Sequence, residues 1–278
     1  MILVTGVTGT VGREVARLLA GRTPLRVLAR DPARVDAPGA EVVQGSYGDA
    51  GSLARALTGI RAAFLVTSHP TEPDDARFAA AARTAGVRHV VKLSAYAVGD
   101  LGADDFITRR QRENEDILRG SGLAWTMLRP RAFMTNTLSW ASSIRAEGIV
   151  RAPHGSAPNA VIDPRDIAEV AVRALTEPGY EGRELPLTGP AALNPAQQTE
   201  QLAEAIGRPL RFAELTPRQT REGLARRYPE VVVEALLSSM ERQAAGAKNR
   251  VEPTVAEVTG RPPYAFLTWA RDHAAAFA

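Results

Sequence analysis

The N-terminal stretch constrains the fold more than any other part of the chain. Residues 2–4 are an apolar run that predicts a buried strand, and residues 11–19 have the amphipathic pattern of a helix. Gly6, Gly9 and Gly12 mark the turn between them. Because backbone N–H groups at a helix N-terminus attract anions, this order of strand, glycine turn and helix predicts a phosphate-binding site. The spacing G-x-x-G-x-x-G differs from the commonest dinucleotide fingerprint, but its place directly after a strand is typical of dinucleotide-binding folds.

Short apolar runs alternate with amphipathic segments along most of the chain. Near-continuous apolar strands followed by amphipathic helices are typical of a parallel sheet that is covered by helices on both faces. The sequence therefore predicts an α/β fold with a doubly wound, Rossmann-type parallel sheet. The predicted strands are 2–4, 25–28, 41–43, 62–66, 88–93, 125–128, 160–162, 184–187 and 210–213, and the predicted helices include 11–19, 52–57, 74–85, 104–119 and 165–175.

The chain changes character beyond Pro190, where it becomes mostly helical. No repeat or low-complexity linker separates this part from the predicted sheet. We therefore expect an NAD(P)-binding Rossmann domain over residues 1–150, to which 160–188 returns. A smaller, mostly helical C-terminal lobe over 189–278 would cap the domain or bind substrate.

Composition excludes several classes of site. The 278 residues are 45% hydrophobic and 23% charged, which is ordinary for a globular protein. Since the chain has no cysteine, it holds no disulfide, thiol nucleophile or cysteine-based metal site. No two histidines stand at metal-ligand spacing, so no metal is expected. The net charge is only +3 and basic residues alternate with acidic ones, so charge does not favour a nucleic-acid partner.

The chain shows no targeting or membrane signal. A strand begins at Ile2, which leaves no room for a signal peptide. No apolar run approaches the roughly 20 residues that span a bilayer. We therefore expect a cytoplasmic protein with no membrane partner.

The predicted strand order brings polar residues to one edge of the sheet. Ligands of open α/β sheets bind beyond the carboxyl ends of the strands. This rule selects 6–12, Arg30, Ser46, 67–69 and 94–96 as the lining of a single crevice.

The end of the second strand indicates which dinucleotide is bound. At this place an acid accepts hydrogen bonds from the ribose 2′-OH of NAD, whereas an arginine suits the 2′-phosphate of NADP. Arg30 occupies the position, so NADP(H) is preferred over NAD(H). Asp31 follows directly, and a shift of one residue would reverse the preference.

The predicted helix 104–119 has an unusual polar side. Arg110, Glu113 and Asn114 lie where a core-facing helix would continue with apolar residues. Either this side borders a polar pocket, or it is a face in contact with solvent or another subunit.

Several stretches of the chain share a pattern with one family. They are 1–13, 30–32, 91–94, 115–118, 121–130, Asn136, 162–168, 187–190 and 258–263 with Phe266 and Trp269. On these residues the chain resembles the NmrA-like atypical short-chain dehydrogenase/reductases, in particular the type 2 NAD(P)H:quinone oxidoreductase-like group. The resemblance covers the whole chain and is specific for fold and cofactor class rather than for substrate.

The resemblance implies how the cofactor would be held. It places Arg30 at the 2′-phosphate, and Thr67 and Ser68 beside the nicotinamide ribose. Ser46 replaces an aspartate that relatives usually carry near the adenine amino group. The residues implied at the pyrophosphate are Gly6, Thr8, Gly9, Thr10, Val11 and Gly12. A loop that begins at Phe133 and ends at Asn136 would fold over the nicotinamide.

The candidate catalytic residues do not follow the conventional pattern of short-chain reductases. Conventional short-chain reductases use a tyrosine with a lysine four positions later, but here Tyr96 is followed at that distance by Asp100. The candidate proton donors are Tyr96, Ser94 and His69, because they follow strands at the predicted crevice. The residues predicted to contact substrate are Tyr96, Phe133, Met134, Trp140 and His154.

These features predict an NADPH-dependent oxidoreductase that transfers hydride to a small quinone, carbonyl or enone. Two alternatives stay open at this point. One is an NADP-binding regulator that senses redox state and binds a partner protein, and the other is an enzyme that keeps the cofactor for non-redox chemistry. The sequence identifies neither the substrate nor whether the chain forms a homodimer.

Overall fold

The computed structural model describes residues 1–67, 69 and 71–278. Its strands are β1 (Ile2–Thr5), β2 (Leu25–Ala29), β3 (Glu41–Gln44), β4 (Ala62–Leu65), β5 (His89–Leu93), β6 (Ala124–Pro130), β7 (Ile149–Ala152), β8 (Arg183–Leu187) and β9 (Arg211–Glu214). Its α-helices are α1 (Thr10–Leu19), α2 (Ala50–Leu57), α3 (Asp74–Thr84), α4 (Phe106–Arg119), α5 (Ala141–Glu147), α6 (Pro164–Thr176), α7 (Pro195–Ile206), α8 (Pro217–Ala225), α9 (Glu230–Ala244), α10 (Thr254–Thr259) and α11 (Phe266–Asp272). Short 3-10 helices span Pro32–Arg34, Tyr96–Gly99, Met134–Trp140 and Ala274–Ala276.

The main sheet has seven strands in the order β3-β2-β1-β4-β5-β6-β8. All neighbouring pairs from β3 to β6 are parallel. The strand order reverses between β1 and β4, which creates a crevice at the carboxyl ends of these strands. The predicted doubly wound α/β fold is confirmed.

The central strands of the sheet are buried on both faces. Every residue of β1 and of β4 is buried, which explains why these strands read as continuous apolar runs. On one face, Leu3 of β1 packs in an apolar cluster with residues of α2 and α3, among them Leu53 and Phe78.

The chain forms two compact units. The first comprises residues 1–99, 109–130 and 164–186, and the second comprises 100–108, 131–163 and 187–278. Residues 164–186 belong to the first unit, in the region predicted to return to the Rossmann domain. Residues 131–163, part of which the sequence assigned to that domain, group with the second unit instead.

The second unit has its own small sheet and apolar core. β7 pairs in parallel with β9, from Ile149 opposite Arg211 to Ala152 opposite Glu214. Its core includes residues of α5, β7, α7 and α11, among them Ile144, Val150, Leu202, Phe266 and Trp269. Among the helices that the structure describes, none is both long and apolar enough to cross a bilayer.

One predicted strand is wrong. Residues 160–162 form no ladder, and only an isolated bridge joins Ile162 to Phe133. Pro158 and Pro164 flank the segment, and proline has no N–H to donate to a ladder. Apolar burial, rather than strand pairing, accounts for its composition.

Candidate functional site

The glycine turn after β1 depends on contacts that only glycine permits. Gly6 has a φ of +64°, and a Cβ on it would lie 2.8 Å from the Cβ of Val66. A Cβ on Gly12 would lie 2.3 Å from the carbonyl oxygen of Gly6, so the start of α1 packs directly on the turn. Gly9 closes the turn by donating its N–H to the same carbonyl at 2.9 Å. The spacing of the glycines therefore follows from the approach of helix to strand.

The N-terminus of α1 is built to receive an anion. Gly9 is the N-cap residue and has no side chain that could accept from the first-turn N–H groups. The N–H groups of Thr10, Val11 and Gly12 are therefore left for a ligand. The side chain of Val11 is buried, so Val11 can contribute only its backbone. These donors fit the pyrophosphate of a dinucleotide.

A crevice of about 650 Å³ opens beyond the carboxyl ends of β1, β2, β3 and β4. This volume is typical of small-molecule and cofactor sites. Predicted residues on its walls are Gly6, Thr8, Gly9, Arg30, Ser46 and His69. The walls also include Tyr47, Glu72, Asp74 and Arg77, which sequence reasoning did not select. Within the described part of the chain, Thr67, Ser94 and Tyr96 are not among the wall residues.

The end of β2 presents a cation to the crevice. Arg30 is exposed on the crevice wall, and no carboxylate of the described residues pairs with it. The carboxylate of Asp31 is engaged elsewhere, because it accepts the N–H of Ala33 at 3.1 Å and caps the 3-10 helix Pro32–Arg34. The arginine, rather than the acid, is therefore available to a ligand.

Tyr47 stabilises the backbone at the base of the crevice through a hydrogen bond. Its hydroxyl donates to the carbonyl of Val66 at 2.6 Å. The N–H of Val66 donates to Thr5 Oγ1 at 2.9 Å, and that hydroxyl donates to the carbonyl of Phe64 at 3.0 Å. Burial raises the pKa of Tyr47, so the phenol stays neutral and serves as a structural donor. A tyrosine in a glycine-rich loop gave no signal for this role in the sequence.

Lys92 forms a buried ion pair with Asp75. Its Nζ lies 2.5 Å from Asp75 Oδ1, and the two side chains are 0% and 3% exposed. Thr67 Oγ1 donates to Asp75 Oδ2 at 2.7 Å and accepts from Lys92 Nζ at 3.2 Å. Asp75 lies in the first turn of α3, where the helix dipole favours a negative charge. A lysine inside an apolar strand indicates a buried acid partner, but the sequence does not show which acid.

His69 is held by its own loop. Its Nδ1 accepts the N–H of Glu72 at 3.2 Å and the N–H of Thr71 at 3.4 Å. These bonds place the imidazole on the crevice wall with one ring nitrogen already occupied. The predicted cofactor contact Ser68 lies outside the described residues.

Ser94 belongs to a charged network that sequence reasoning missed. Its hydroxyl donates to Glu115 Oε1 at 2.5 Å, and both residues are buried. Glu115 also accepts two bonds from Arg129, at 3.0 and 2.6 Å, and one from Arg119 at 2.6 Å. Both arginines also pair with Glu184 of β8. Burial alone would raise the pKa of Glu115, but the hydrogen bonds from Arg129 and Ser94 and the arginine charges outweigh burial and lower that pKa.

The polar side of α4 contacts the crevice wall. Arg110 donates to the carbonyl of Glu72 at 2.7 Å and pairs with Glu113 at 3.1 Å. Asn114, on the same side, is buried. Tyr96 is half-buried at the start of the 3-10 helix that follows β5.

The remaining predicted residues lie in the second unit. Phe133 is the N-cap of the 3-10 helix Met134–Trp140, which also carries Asn136. Met134 is 1% exposed and belongs to the apolar core, against which Trp140 also packs. Asn136 is exposed, and its carbonyl accepts the hydroxyl of Ser139 at 2.8 Å. His154 lies in the loop after β7 with a φ of +52°, a conformation that few non-glycine residues adopt.

Comparison with known proteins decides the family. A family model described as NAD(P)H-binding matches residues 6–178, more than half of the chain. The chain belongs to this NAD(P)H-binding family. The resemblance to NmrA-like atypical short-chain dehydrogenase/reductases that the sequence predicted is confirmed.

Two curated relatives and one solved structure match along the full chain. A (4-alkanoyl-5-oxo-2,5-dihydrofuran-3-yl)methyl phosphate reductase from Streptomyces griseus subsp. griseus is 59% identical, covering 100% of this chain and 99% of that protein. An NAD(P)H azoreductase from Xenophilus azovorans is 39% identical, with coverage of 100% and 99%. An NADPH-dependent quinone oxidoreductase from Escherichia coli, solved with NADPH, has a TM-score of 0.85 at 25% identity, with coverage of 98% and 99%.

This protein is therefore an NAD(P)H-dependent reductase that acts on a small molecule. The predicted enzyme class and the NAD(P) cofactor are confirmed. The preference for NADP(H), the residues that contact the ligands, and a homodimer or protein partner stay predictions.

Proposed function

We propose that this reductase uses NADPH to reduce the ring double bond of a (4-alkanoyl-5-oxo-2,5-dihydrofuran-3-yl)methyl phosphate. The reductase named for this substrate shares 59% of its residues with this chain along essentially its whole length. The quinone and simple carbonyl substrates that the sequence also allowed are the competing candidates.

The chemistry of this acceptor suits a site without a strong acid. When bound, the cofactor supplies a hydride. The hydride adds to ring C3, and the electron pair of the C3=C4 bond moves to C4. There it is delocalised onto the alkanoyl and lactone carbonyl oxygens, and a proton from solvent or a weak donor completes the saturated ring at C4.

The state of Lys92 is the observation that favours such an acceptor. In conventional short-chain reductases a lysine assists the tyrosine acid. Here the only lysine of the first unit is fully buried and paired with Asp75 at 2.5 Å. Because a proton donor usually supplies about 10²–10⁴-fold in rate, its loss matters least for an acceptor that stabilises its own negative charge.

For the cofactor, we propose that Arg30 binds the 2′-phosphate of NADPH. Its exposed guanidinium on the crevice wall, beside an Asp31 that is occupied as a helix cap, supports this assignment. The N–H groups of the first turn of α1 would hold the pyrophosphate. Ser46 on the wall would lie near the adenine, and Thr67 near the nicotinamide ribose.

For the substrate, we propose that Tyr96 donates a hydrogen bond to a carbonyl oxygen. The substrate contacts predicted at Phe133, Met134, Trp140 and His154 stay predictions. Ser94 would position the loop after β5, since its proton is engaged by Glu115.

The proposal is tested by following NADPH consumption with four acceptors. They are the furanone phosphate ester, its dephosphorylated alcohol, a benzoquinone and a saturated ketone. We expect the phosphate ester to have the highest kcat/KM. A higher kcat/KM for benzoquinone would contradict the proposal, and NADPH binding without consumption of any acceptor would favour the regulatory alternative.

A further inference from the structure

The second unit contains a group of positive charges that the site described above does not use. Arg131, Arg242 and Lys248, together the cationic cluster, converge on the turn that follows α9. Arg131 is 7% exposed and donates to the carbonyl of Ala247 at 2.9 Å. The N–H of Ala247 donates to the carbonyl of Arg242 at 3.0 Å. The guanidinium of Arg131 and the backbone of Arg242 are thus both bonded to Ala247, the residue that precedes Lys248.

Lys248 bonds to a hydroxyl rather than to a carboxylate. Its Nζ donates to Ser239 Oγ at 2.7 Å, and no carboxylate of the described residues forms an ion pair with it. Burial, together with the charges of Arg131 and Arg242, lowers the pKa of Lys248 to about 8, and Asp105 offsets this only in part. The surroundings therefore disfavour the protonated lysine.

A capping role does not explain this arrangement. A lysine that caps a helix C-terminus donates to the carbonyl groups of the last turn. The Nζ of Lys248 donates instead to the side-chain hydroxyl of Ser239, which lies within α9. The carboxylate of Asp100 pairs with Arg242 rather than with Lys248.

We propose that Lys248, Arg242 and Ser239 bind the phosphate group of the substrate, an inference that rests on the proposed function. A phosphate monoester carries up to two negative charges and only acceptor oxygens toward these groups. Lys248 Nζ has two further N–H bonds beyond the one to Ser239, and the Ser239 hydroxyl keeps its own proton to donate. A phosphate here would stabilise the charge that the protein alone disfavours.

The first test compares substrates with and without the phosphate. Lys248→Met should lower kcat/KM for the phosphate ester by about 10- to 100-fold, mainly through KM, which is the range for a charged hydrogen bond. For the dephosphorylated alcohol, the same variant should differ from wild type by less than about twofold. An equal loss with both substrates, or no loss with the phosphate ester, would overturn the proposal.

Two variants serve as controls. Arg250 is an exposed arginine two residues away that pairs with Glu252, so Arg250→Met removes a nearby charge outside the cluster. We expect it to leave the preference for the phosphate ester unchanged. Lys248→Arg keeps the charge and should retain part of that preference, whereas a merely structural lysine would give no such rescue.

A second test does not depend on turnover. The chain has two lysines, so lysine-labelled protein gives two side-chain NMR signals, which Lys248→Met assigns. Inorganic phosphate should raise the titration midpoint of Lys248 above its value of about 8, and chloride at the same ionic strength should not. An unchanged midpoint would count against the site. If wild type reduces neither furanone but phosphate still shifts this signal, the proposed function fails while the anion site stands.

Discussion

The two lysines of the chain lie in different units and in opposite electrostatic surroundings. Lys92, in the first unit, is fully buried and has a carboxylate 2.5 Å from its Nζ. Lys248, in the second unit, is half-buried with two arginines nearby, and a serine hydroxyl accepts its hydrogen bond. One positive charge is paired with a carboxylate, whereas the other is bonded to a neutral hydroxyl and is only partly offset by Asp105.

This difference indicates what each charge does. A buried cation with a complete set of partners stabilises the position of those partners, here Asp75 and the hydroxyl of Thr67. A cation that its neighbours disfavour costs stability in the free protein, and it is retained where an anionic ligand offsets that cost. The first lysine is therefore assigned to structure, and the second to binding.

The largest expected effect is the loss of the compensated pair. Lys92→Met leaves Asp75 buried without its cation and should lower the free energy of unfolding by about 3–5 kcal/mol. Adding Asp75→Asn should restore much of this loss, because no buried charge then remains. Urea denaturation of wild type and the variants measures both effects. A single-variant loss below about 1 kcal/mol would show that the pair is not a structural element.

The contribution of Lys248 to folding stability should depend on pH. The pKa of Lys248 is lowered from 10.5 to about 8 in the folded protein. Between these values the unfolded chain binds the proton and the folded protein does not, so stability rises with pH. Relative to Lys248→Met, wild type should gain up to roughly 3 kcal/mol across this window. Denaturation at several pH values measures the difference, and a flat or falling difference would contradict the assignment.

Arg30 extends the comparison to the first unit, since it is an exposed cation without an ion pair among the described residues. Arg30→Ala should weaken NADPH binding by about 1.5–3 kcal/mol and leave NADH binding nearly unchanged. Arg34→Ala, which removes a neighbouring exposed arginine that is not on the crevice wall, is the matched control. Titration calorimetry with both cofactors measures the split. An equal loss for NADH would remove Arg30 from the phosphate site.

The smallest effect is expected at Tyr96. If the protein accelerates the reaction mainly by binding and orienting cofactor and substrate, the Tyr96 hydroxyl contributes one neutral hydrogen bond of about 1 kcal/mol. Tyr96→Phe should then lower kcat/KM with the phosphate ester by roughly fivefold. Steady-state kinetics decide this point. A loss of about 10²-fold or more would identify Tyr96 as a general acid, and the weak-donor mechanism would be wrong.

Much of the first unit could be predicted from local sequence. The strands before α4 are four or five residues long and each contains adjacent apolar residues, and a glycine or aspartate follows β1, β2 and β3 within two residues. The predicted boundaries of β1 to β5 therefore fall within one residue of those observed. The glycine turn was also readable, because close packing of Gly6 and Gly12 leaves a fixed spacing in the sequence.

What escaped prediction depends on contacts between distant residues. β7 is a short strand whose partner, β9, follows about sixty residues later, so no local pattern identifies the pair. The partnerships of Lys92 with Asp75 and of Glu115 with Arg129 likewise join separate elements. Sequence could select candidate residue types but not which of them were already engaged in hydrogen bonds, as Ser94 and His69 are.

The position of hydride transfer tests the central claim most directly. The furanone phosphate ester is reduced with NADPH that carries deuterium at the transferable C4 position, and the product is examined by NMR. We expect the deuterium at ring C3, the carbon that bears the phosphorylated methylene, with a solvent-derived proton at C4. Deuterium on the carbinol carbon of a reduced alkanoyl group, or its absence from the product, would contradict the account.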